Sequence, residues 1–266
     1  MGKQPRSIII ILTLVLCSVS VSYSNGATAK APAIDPQAEQ ILRQMSDYLS
    51  SLQGFSVHVD AVVEGVTPSG QRLDTDRYGD VWMERPNKLL VNMISAHHNV
   101  QMYYDGNTFT IFSPRLNYYA TWSAPGTIDE LVVVARKKYG LVLPGADLLS
   151  SDPYSKMIAN VKSGTYVGES PVREVMTHQL AFRQPDIDWQ IWIAEGDTPL
   201  PMRIIITDKR TSGQPQYMAS YSDWNTSPVF DPYTFVFMPP AGAQKIDMRT
   251  LPTVKRQATP KKGGSK

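Results

Sequence analysis

A stripe of apolar residues at three- and four-residue spacing predicts an amphipathic helix as the first element of the chain. Asp35 suits the N-cap, and Pro36 suits the first helical position, where its missing N–H costs nothing. Gly54 is expected to end this helix. Such a helix must lie on an apolar surface. The stripe comprises Ala38, Ile41, Leu42, Met45, Tyr48, Leu49 and Leu52.

Two more helices are predicted midway along the chain. Thr127 and Glu130 have the spacing of a capping box, and Gly140 is expected to end the helix that follows them. A shorter helix is predicted from Asp152 to about residue 160, again with proline at its first position. The apolar positions of the longer helix are Leu131, Val134, Ala135 and Tyr139.

Most of the remaining chain alternates between apolar and polar residues, the period of a strand with one buried face. Turn sequences such as Pro68-Ser69-Gly70 and Asp105-Gly106 separate the segments. We expect about ten or eleven antiparallel strands, and hence an α+β domain over residues 30–250. The candidate segments are 55–63, 71–84, 88–95, 100–104, 108–112, 117–122, 164–168, 172–183, 188–194, 202–208, 214–223 and 233–238.

Residues 1–29 are predicted to be a cleavable export signal. Lys3 and Arg6 precede an apolar run that is too short to span a bilayer comfortably, and Ala27 and Ala29 offer a small-residue cleavage site. The mature protein is therefore expected in the periplasm. A lipid anchor at Cys17 is not expected, because Leu16 stands where the lipidation motif normally has a small residue.

Composition excludes several classes of function. The only cysteine, Cys17, lies in the signal, so the mature chain has no disulfide and no thiolate. The body is mildly acidic, and the positive charges near the C-terminus fall in a Pro/Gly/Lys-rich segment, 251–266, that we expect to be disordered. This distribution argues against binding of nucleic acid.

Five segments in the second half of the chain resemble a bacterial family of predicted periplasmic proteins, domain of unknown function 2092. The resemblance extends over nearly the whole mature chain, to about Asp247. The family has no established activity. The segments are His178–Phe182 (HQLAF), Asp188–Ile193 (DWQIWI), Pro199–Thr207 (PLPMRIIIT), Tyr217–Trp224 (YMASYSDW) and Phe235–Ala243 (FVFMPPAGA).

The order of predicted elements also resembles the LolA/LolB-like lipoprotein-carrier fold. The resemblance implies a strongly curved, incompletely closed antiparallel β-barrel whose open side is covered by helices. It further implies an apolar cavity that can hold acyl chains.

No catalytic or cofactor motif is present. The chain has no H-E-x-x-H, C-x-x-C, Walker or G-x-S-x-G sequence. His97 and His98 are adjacent and would face opposite sides of a strand, so we predict no metal site and no cofactor. Asp186 and Asp188 lie in a turn-like segment, where aspartate commonly caps its own backbone.

His178 has two interpretations. It shares a predicted strand face with Glu174, Met176 and Leu180, so it can be a core histidine bonded to a backbone carbonyl or to Glu174. Alternatively, it anchors the headgroup of a ligand or acts as a general base near a serine.

The leading hypothesis is a non-enzymatic periplasmic carrier or sensor of a lipid, a lipoprotein acyl chain or another amphipathic ligand. Methionine and tryptophan are frequent on the predicted strands, and methionine adapts to variable apolar shapes. We expect the protein to be a monomer whose partner is a lipid or a lipidated protein. The candidate cavity-lining residues are Leu42, Met45, Leu49, Val57, Val59, Leu131, Ala135, Met176, His178, Leu180 and Phe182.

Two alternatives remain open. The protein could be an envelope-stress regulator that binds the periplasmic segment of a membrane protein through an exposed strand or groove. It could also be a secreted hydrolase in which the fold brings a serine or an aspartate near His178.

Overall fold

A twelve-stranded sheet and three α-helices make up the computed structural model, which describes residues 33–248 except 97, 125 and 142. The predicted export signal, Cys17, His97 and the basic tail lie outside the described residues. The helices are α1 (Pro36–Ser51), α2 (Ile128–Tyr139) and α3 (Pro153–Ile158), and a 3₁₀ helix spans Ala146–Leu149. The strands are β1 (Gly54–Val66), β2 (Arg72–Glu84), β3 (Lys88–Ser95), β4 (Asn99–Tyr104), β5 (Thr108–Ser113), β6 (Tyr118–Ser123), β7 (Ser163–Val172), β8 (Val175–Arg183), β9 (Ile187–Ala194), β10 (Pro201–Asp208), β11 (Gln216–Asn225) and β12 (Gln244–Lys245).

The sheet consists of two antiparallel meanders joined at a single strand pair. Its order is β12-β6-β5-β4-β3-β2-β1-β11-β10-β9-β8-β7, so β1 to β6 form one meander, β7 to β11 form the other, and β1 pairs with β11 between them. The outer strands β7 and β12 do not pair with each other, and the curved sheet is therefore open. The predicted α+β architecture is confirmed.

Three predicted boundaries are wrong. Residues 172–183 are not one strand, because Val172 ends β7 and a two-residue turn precedes β8. Residues 233–238 do not form a strand: turns end at residue 235, and Phe235 and Phe237 dock through their rings instead of through a backbone ladder. Phe237 lies 5.1–5.3 Å from the rings of Tyr103, Phe112 and Tyr119, measured between ring centroids.

Helix α1 begins as predicted and ends earlier than predicted, which is the third wrong boundary. The Asp35 carboxylate accepts a hydrogen bond from Gln37 N at 2.9 Å. The helix ends at Ser51, and Gly54 is the first residue of β1. A Cβ at Gly54 would lie 2.7 Å from the carbonyl oxygen of Met83, so this glycine serves the close approach of β1 and β2.

Helix α3 is fastened to α1 by polar contacts. The backbone N–H of Tyr154 donates to the buried Ser46 hydroxyl at 2.9 Å, and the Tyr154 hydroxyl donates to Glu39 at 2.7 Å. The Arg43 guanidinium lies over the Tyr154 ring, 3.7 Å from its centroid. These contacts explain why α1 buries a serine in its otherwise apolar stripe.

The core lies between the helices and one face of the sheet, which we call the inner face. Alternate residues of β1, from Phe55 to Ala61, are buried there together with the apolar stripe of α1. A smaller cluster of Val172, Trp192, Ala194 and Met202 lies on the opposite, outer face. The period-two pattern of the sequence thus sorts residues between the two faces.

Gly79 allows β2 and β3 to approach each other on the inner face. It pairs with Met93, and a Cβ built on it would lie 1.8 Å from the carbonyl oxygen of Asn92. No side chain fits this position unless one of the two strands moves.

Gly79→Ala is expected to lower the free energy of unfolding by about 1–3 kcal/mol, because the methyl group collides with a backbone carbonyl. Urea unfolding measures the effect. Gly65→Ala is the matched control, since its Cβ would approach nothing closer than the Leu73 oxygen at 3.9 Å. An equal loss in both variants would contradict this account of Gly79.

Candidate functional site

An apolar cavity of about 420 Å³ lies between the inner face of the sheet and a cover formed by α2 and the segment 143–149. Its sheet side is supplied by β1 to β5 and β11. The apolar side chains that line it are Phe55, Val57, Val59, Ala61, Val81, Leu89, Val91, Met93, Ile94, Val100, Met102, Phe109, Leu131, Val132, Ala135, Leu143, Pro144, Ala146, Leu148, Leu149 and Trp224.

Strand register builds the floor of the cavity in rows. One row crosses four strands as Val57, Val81, Val91 and Met102, each paired with the next. The adjacent row runs from Val59 through Gly79 to Met93 and Val100. Gly79 contributes no side chain to this second row, so Val59, Met93 and Val100 supply its apolar groups.

The cover is held in place at the N-terminal end of α2. The predicted capping box is confirmed: Thr127 Oγ1 accepts from Glu130 N at 3.2 Å, and Glu130 Oε2 accepts from Thr127 N at 2.8 Å. The predicted end at Gly140 is also confirmed. Val134, predicted for the apolar stripe, is 38% exposed, and the buried stripe is Ile128, Leu131 and Ala135.

Asp129 ties α2 to the segment after the 3₁₀ helix. Its carboxylate accepts from the Ser150 hydroxyl at 2.5 Å and from Ser151 N at 3.0 Å. Burial alone would raise the pKa of Asp129, but these hydrogen bonds outweigh it, and the pKa lies below its ordinary value of 3.8.

Arg85 fixes the same region to α1 through backbone carbonyls. Its guanidinium donates to the carbonyl oxygens of Leu49, Leu52 and Leu149 at 3.2–3.3 Å. Burial lowers the pKa of Arg85. The side chain therefore positions the cover and is not available to a ligand.

Polar residues lie at one region of the cavity wall. They are Arg77 and Ser95 on neighbouring strands, His98, and the phenols of Tyr217 and Tyr221 on β11. Burial raises the pKa of Tyr217 to about 12, against a small opposing effect of the Arg77 charge. Burial also raises the pKa of Tyr221 well above 10.

The predicted lining residues divide between the cavity and the solid core. Val57, Val59, Leu131 and Ala135 line the cavity. Met176 is 46% exposed and His178 lies near it, so neither borders the cavity. The remaining five pack in the core, where α1 covers the other meander: Leu42, Met45, Leu49, Leu180 and Phe182.

Sequence analysis missed the lining from β2 to β5, β11 and the segment 143–149. Two signals could have found part of it: the apolar run 141–149 and the methionines on predicted strands, of which Met93 and Met102 face the cavity. Only the pairing of the strands shows that these two sets of residues line the same cavity.

His178 has a different environment from either interpretation. Glu174 lies in the turn before β8, and the partner of His178 Nδ1 is the Tyr166 hydroxyl at 3.2 Å. Glu169 lies directly across the strand pair, and Glu195 Oε1 is 3.9 Å from Nδ1. Among the described residues, no serine or aspartate hydrogen-bonds to this imidazole. His178, Glu169 and Glu195 each have one possible metal-ligand atom, and these three atoms lie within 4.8 Å of one another at the surface.

Asp188 has a structural role. It lies in β9 and accepts a hydrogen bond from Lys209 Nζ at 2.6 Å, and Arg183 Nε lies 3.7 Å from the same carboxylate oxygen. The carboxylate is therefore engaged in ion pairs.

The family model described as "Predicted periplasmic protein (DUF2092)" matches residues 38–249. The chain belongs to the DUF2092 family. The description agrees with the periplasmic location expected from the sequence. None of the described helices is both long and apolar enough to cross a membrane.

Comparison with curated proteins gives no match, whereas solved structures do. An uncharacterized conserved protein from Thermus thermophilus is 12% identical, with a TM-score of 0.49, over 79% of this chain and 99% of that chain. The Mycobacterium tuberculosis lipoprotein LppX is 15% identical, with a TM-score of 0.40, over 74% and 98%. A LolA superfamily protein from Nitrosomonas europaea is 13% identical, with a TM-score of 0.37, over 75% and 97%.

Asp129→Ala is expected to lower the free energy of unfolding by about 1–3 kcal/mol, because it leaves the buried Ser150 hydroxyl and Ser151 N without their acceptor. It should also speed hydrogen exchange in α2 and in residues 143–151. Asp147 is exposed, and within the described residues its side chain forms no hydrogen bond or ion pair, so Asp147→Ala is the control.

The pH dependence gives an independent check. A carboxylate whose pKa is lowered on folding stabilises the native state above its ordinary pKa of 3.8, and that contribution disappears as the pH falls through the lowered value. The difference in stability between wild type and Asp129→Ala should therefore shrink below about pH 4. A difference that is constant from pH 7 to pH 3 would show that Asp129 contributes through packing alone.

Proposed function

We propose that this DUF2092 protein is a non-enzymatic periplasmic carrier or sensor that binds the hydrocarbon part of a lipid, a lipoprotein acyl chain or another amphipathic ligand. The observation that supports this function is the apolar cavity of about 420 Å³ between α2 and the inner face of the sheet. Its size lies within the range of about 300–1,000 Å³ typical of small-molecule sites.

The lining is suited to hydrocarbon. Val81, Val91, Met102, Val132 and Trp224 are only partly buried although they pack against the core, so their surfaces remain available to a guest. Burial of each methylene group contributes about 0.8 kcal/mol. A chain of about ten methylenes thus supplies about 8 kcal/mol before the costs of association, without any catalytic group.

The structure gives less support to a protein-binding regulator. Such a partner would need an exposed strand, and β7 is the long strand at one edge of the sheet. However, β7 has a register shift between Tyr166 and Gly168 and contains Pro171. Bulges and prolines are features that discourage the addition of another strand.

A hydrolase that uses His178 also finds little support. The imidazole bonds to Tyr166, lies outside the cavity and has no serine or aspartate partner among the described residues. The cavity itself is lined mainly by apolar groups.

A bulky residue on the cavity side of α2 should block binding of an apolar guest. Val132 lines the cavity, whereas the next residue, Val133, is 44% exposed and does not line it. Val132→Trp is expected to weaken binding of the neutral fluorescent probe N-phenyl-1-naphthylamine by at least about tenfold, a loss of about 1.4 kcal/mol.

Val133→Trp adds the same ring to the same helix and should leave binding unchanged. Thermal unfolding of both variants separates a blocked cavity from a damaged fold. The proposal fails if wild-type protein, purified and delipidated, binds neither the probe nor fatty acids, or if the two variants weaken binding equally.

A further inference from the structure

The polar part of the cavity wall has a fixed arrangement set by strand register. Ala61 of β1 pairs with Arg77 of β2, which in turn pairs with Ser95 of β3, and all three line the cavity. On its other side, Ala61 pairs with Ala219 of β11. The neighbours of Arg77 across the sheet are therefore small, and Arg77 itself is exposed.

Arg77 brings an uncompensated positive charge to this wall. Within the described residues, its guanidinium forms no ion pair or side-chain hydrogen bond, and no aspartate or glutamate lines the cavity. Asp76 precedes Arg77 and borders, together with Asp60 and Arg77 itself, a separate groove on the outer face. Arg77 is an exposed residue, so the cavity has a cation at its solvent-exposed part and no anion in its lining.

Two phenols on β11 add hydrogen-bond donors nearby. Tyr217 and Tyr221 line the cavity, and among the described residues neither hydroxyl bonds to a protein group. Tyr221 is only 7% exposed. A phenol is protonated at neutral pH, so each hydroxyl can donate a hydrogen bond to a negatively charged oxygen.

Arg77 and Tyr217 both line this part of the cavity wall, on strands that flank β1. Register agrees: Arg77 pairs with Ala61, and Tyr217 pairs with Val63, two residues along the same inner face of β1. His98 lies on the same part of the wall, next to Ser95. A guanidinium and phenolic O–H groups together form a site for an oxyanion.

We propose that the cavity selects an anionic amphiphile, an inference that rests on the proposed function. Its carboxylate or phosphate head lies at Arg77 and Tyr217. Its hydrocarbon chain lies against the row formed by Val57, Val81, Val91 and Met102. A charged head is favoured there because it neutralises Arg77 and accepts hydrogen bonds that the protein leaves unmade. A neutral head of equal size can accept a hydrogen bond from the guanidinium but leaves its charge without a counter-charge.

The test compares ligands that differ only in the head. N-Phenyl-1-naphthylamine reports occupancy of the cavity, and dodecanoate, dodecyl phosphate and dodecanol are added as competitors. In wild-type protein, the two anions should displace the probe at concentrations about tenfold lower than dodecanol, since a charge-assisted hydrogen bond contributes more than a neutral one. The ratio between the two anions tells carboxylate from phosphate.

Arg77→Gln should weaken dodecanoate and dodecyl phosphate by about tenfold and leave the probe and dodecanol unchanged. Arg77→Lys should retain part of the preference for anions. Lys162→Gln is the matched control, because it removes one positive charge from an exposed residue outside the cavity. Tyr217→Phe should weaken the anions more than the alcohol.

The outcomes separate the two proposals. If wild type binds the probe but dodecanol competes as well as the anions, or if Arg77→Gln weakens all ligands equally, the headgroup proposal is overturned and the carrier proposal stands. If wild type does not bind the probe or any of the three ligands, the carrier function fails, and the headgroup proposal fails with it.

Discussion

The structure depends on one constraint: an apolar sheet face has to be covered, and the helices available cover its two halves unequally. Helix α1 has 16 residues and buries a full stripe, in which Ala38, Leu42, Met45 and Leu49 are 0% exposed. Helix α2 has 12 residues and buries three of them. Where α1 lies, side chains of the protein fill the interior, and where α2 lies, space remains.

The parts of the fold that could be predicted from the sequence are those set by neighbouring residues. Local signals placed the helix starts at Asp35 and Thr127, and the strand β3 at Lys88–Ser95, because caps, turns and period-two patterns involve only neighbouring residues. They failed at 233–238, where ring contacts across the outer face replace a ladder. Such contacts depend on residues distant in sequence.

The candidate site was harder to predict than the fold for the same reason. Val57 and Val59 could be assigned to a buried face from their own strand, but their neighbours across the sheet, Val81 and Met93, were fixed only by register. The sequence also could not show which helix left space beneath it. It therefore assigned Leu42 and Met45 of α1 to the cavity, whereas they belong to the filled half of the core.

The pairing of β1 with β11 has a consequence for how the chain reaches its native state. Gln216 N donates to Glu64 across a sequence separation of 152 residues, so this junction closes only when two segments that are distant in the chain come together. Contacts of such long range form slowly. Until they form, the edge strand β1 of the first meander is unpaired on its β11 side, so the folding chain passes through a period in which it is prone to aggregation.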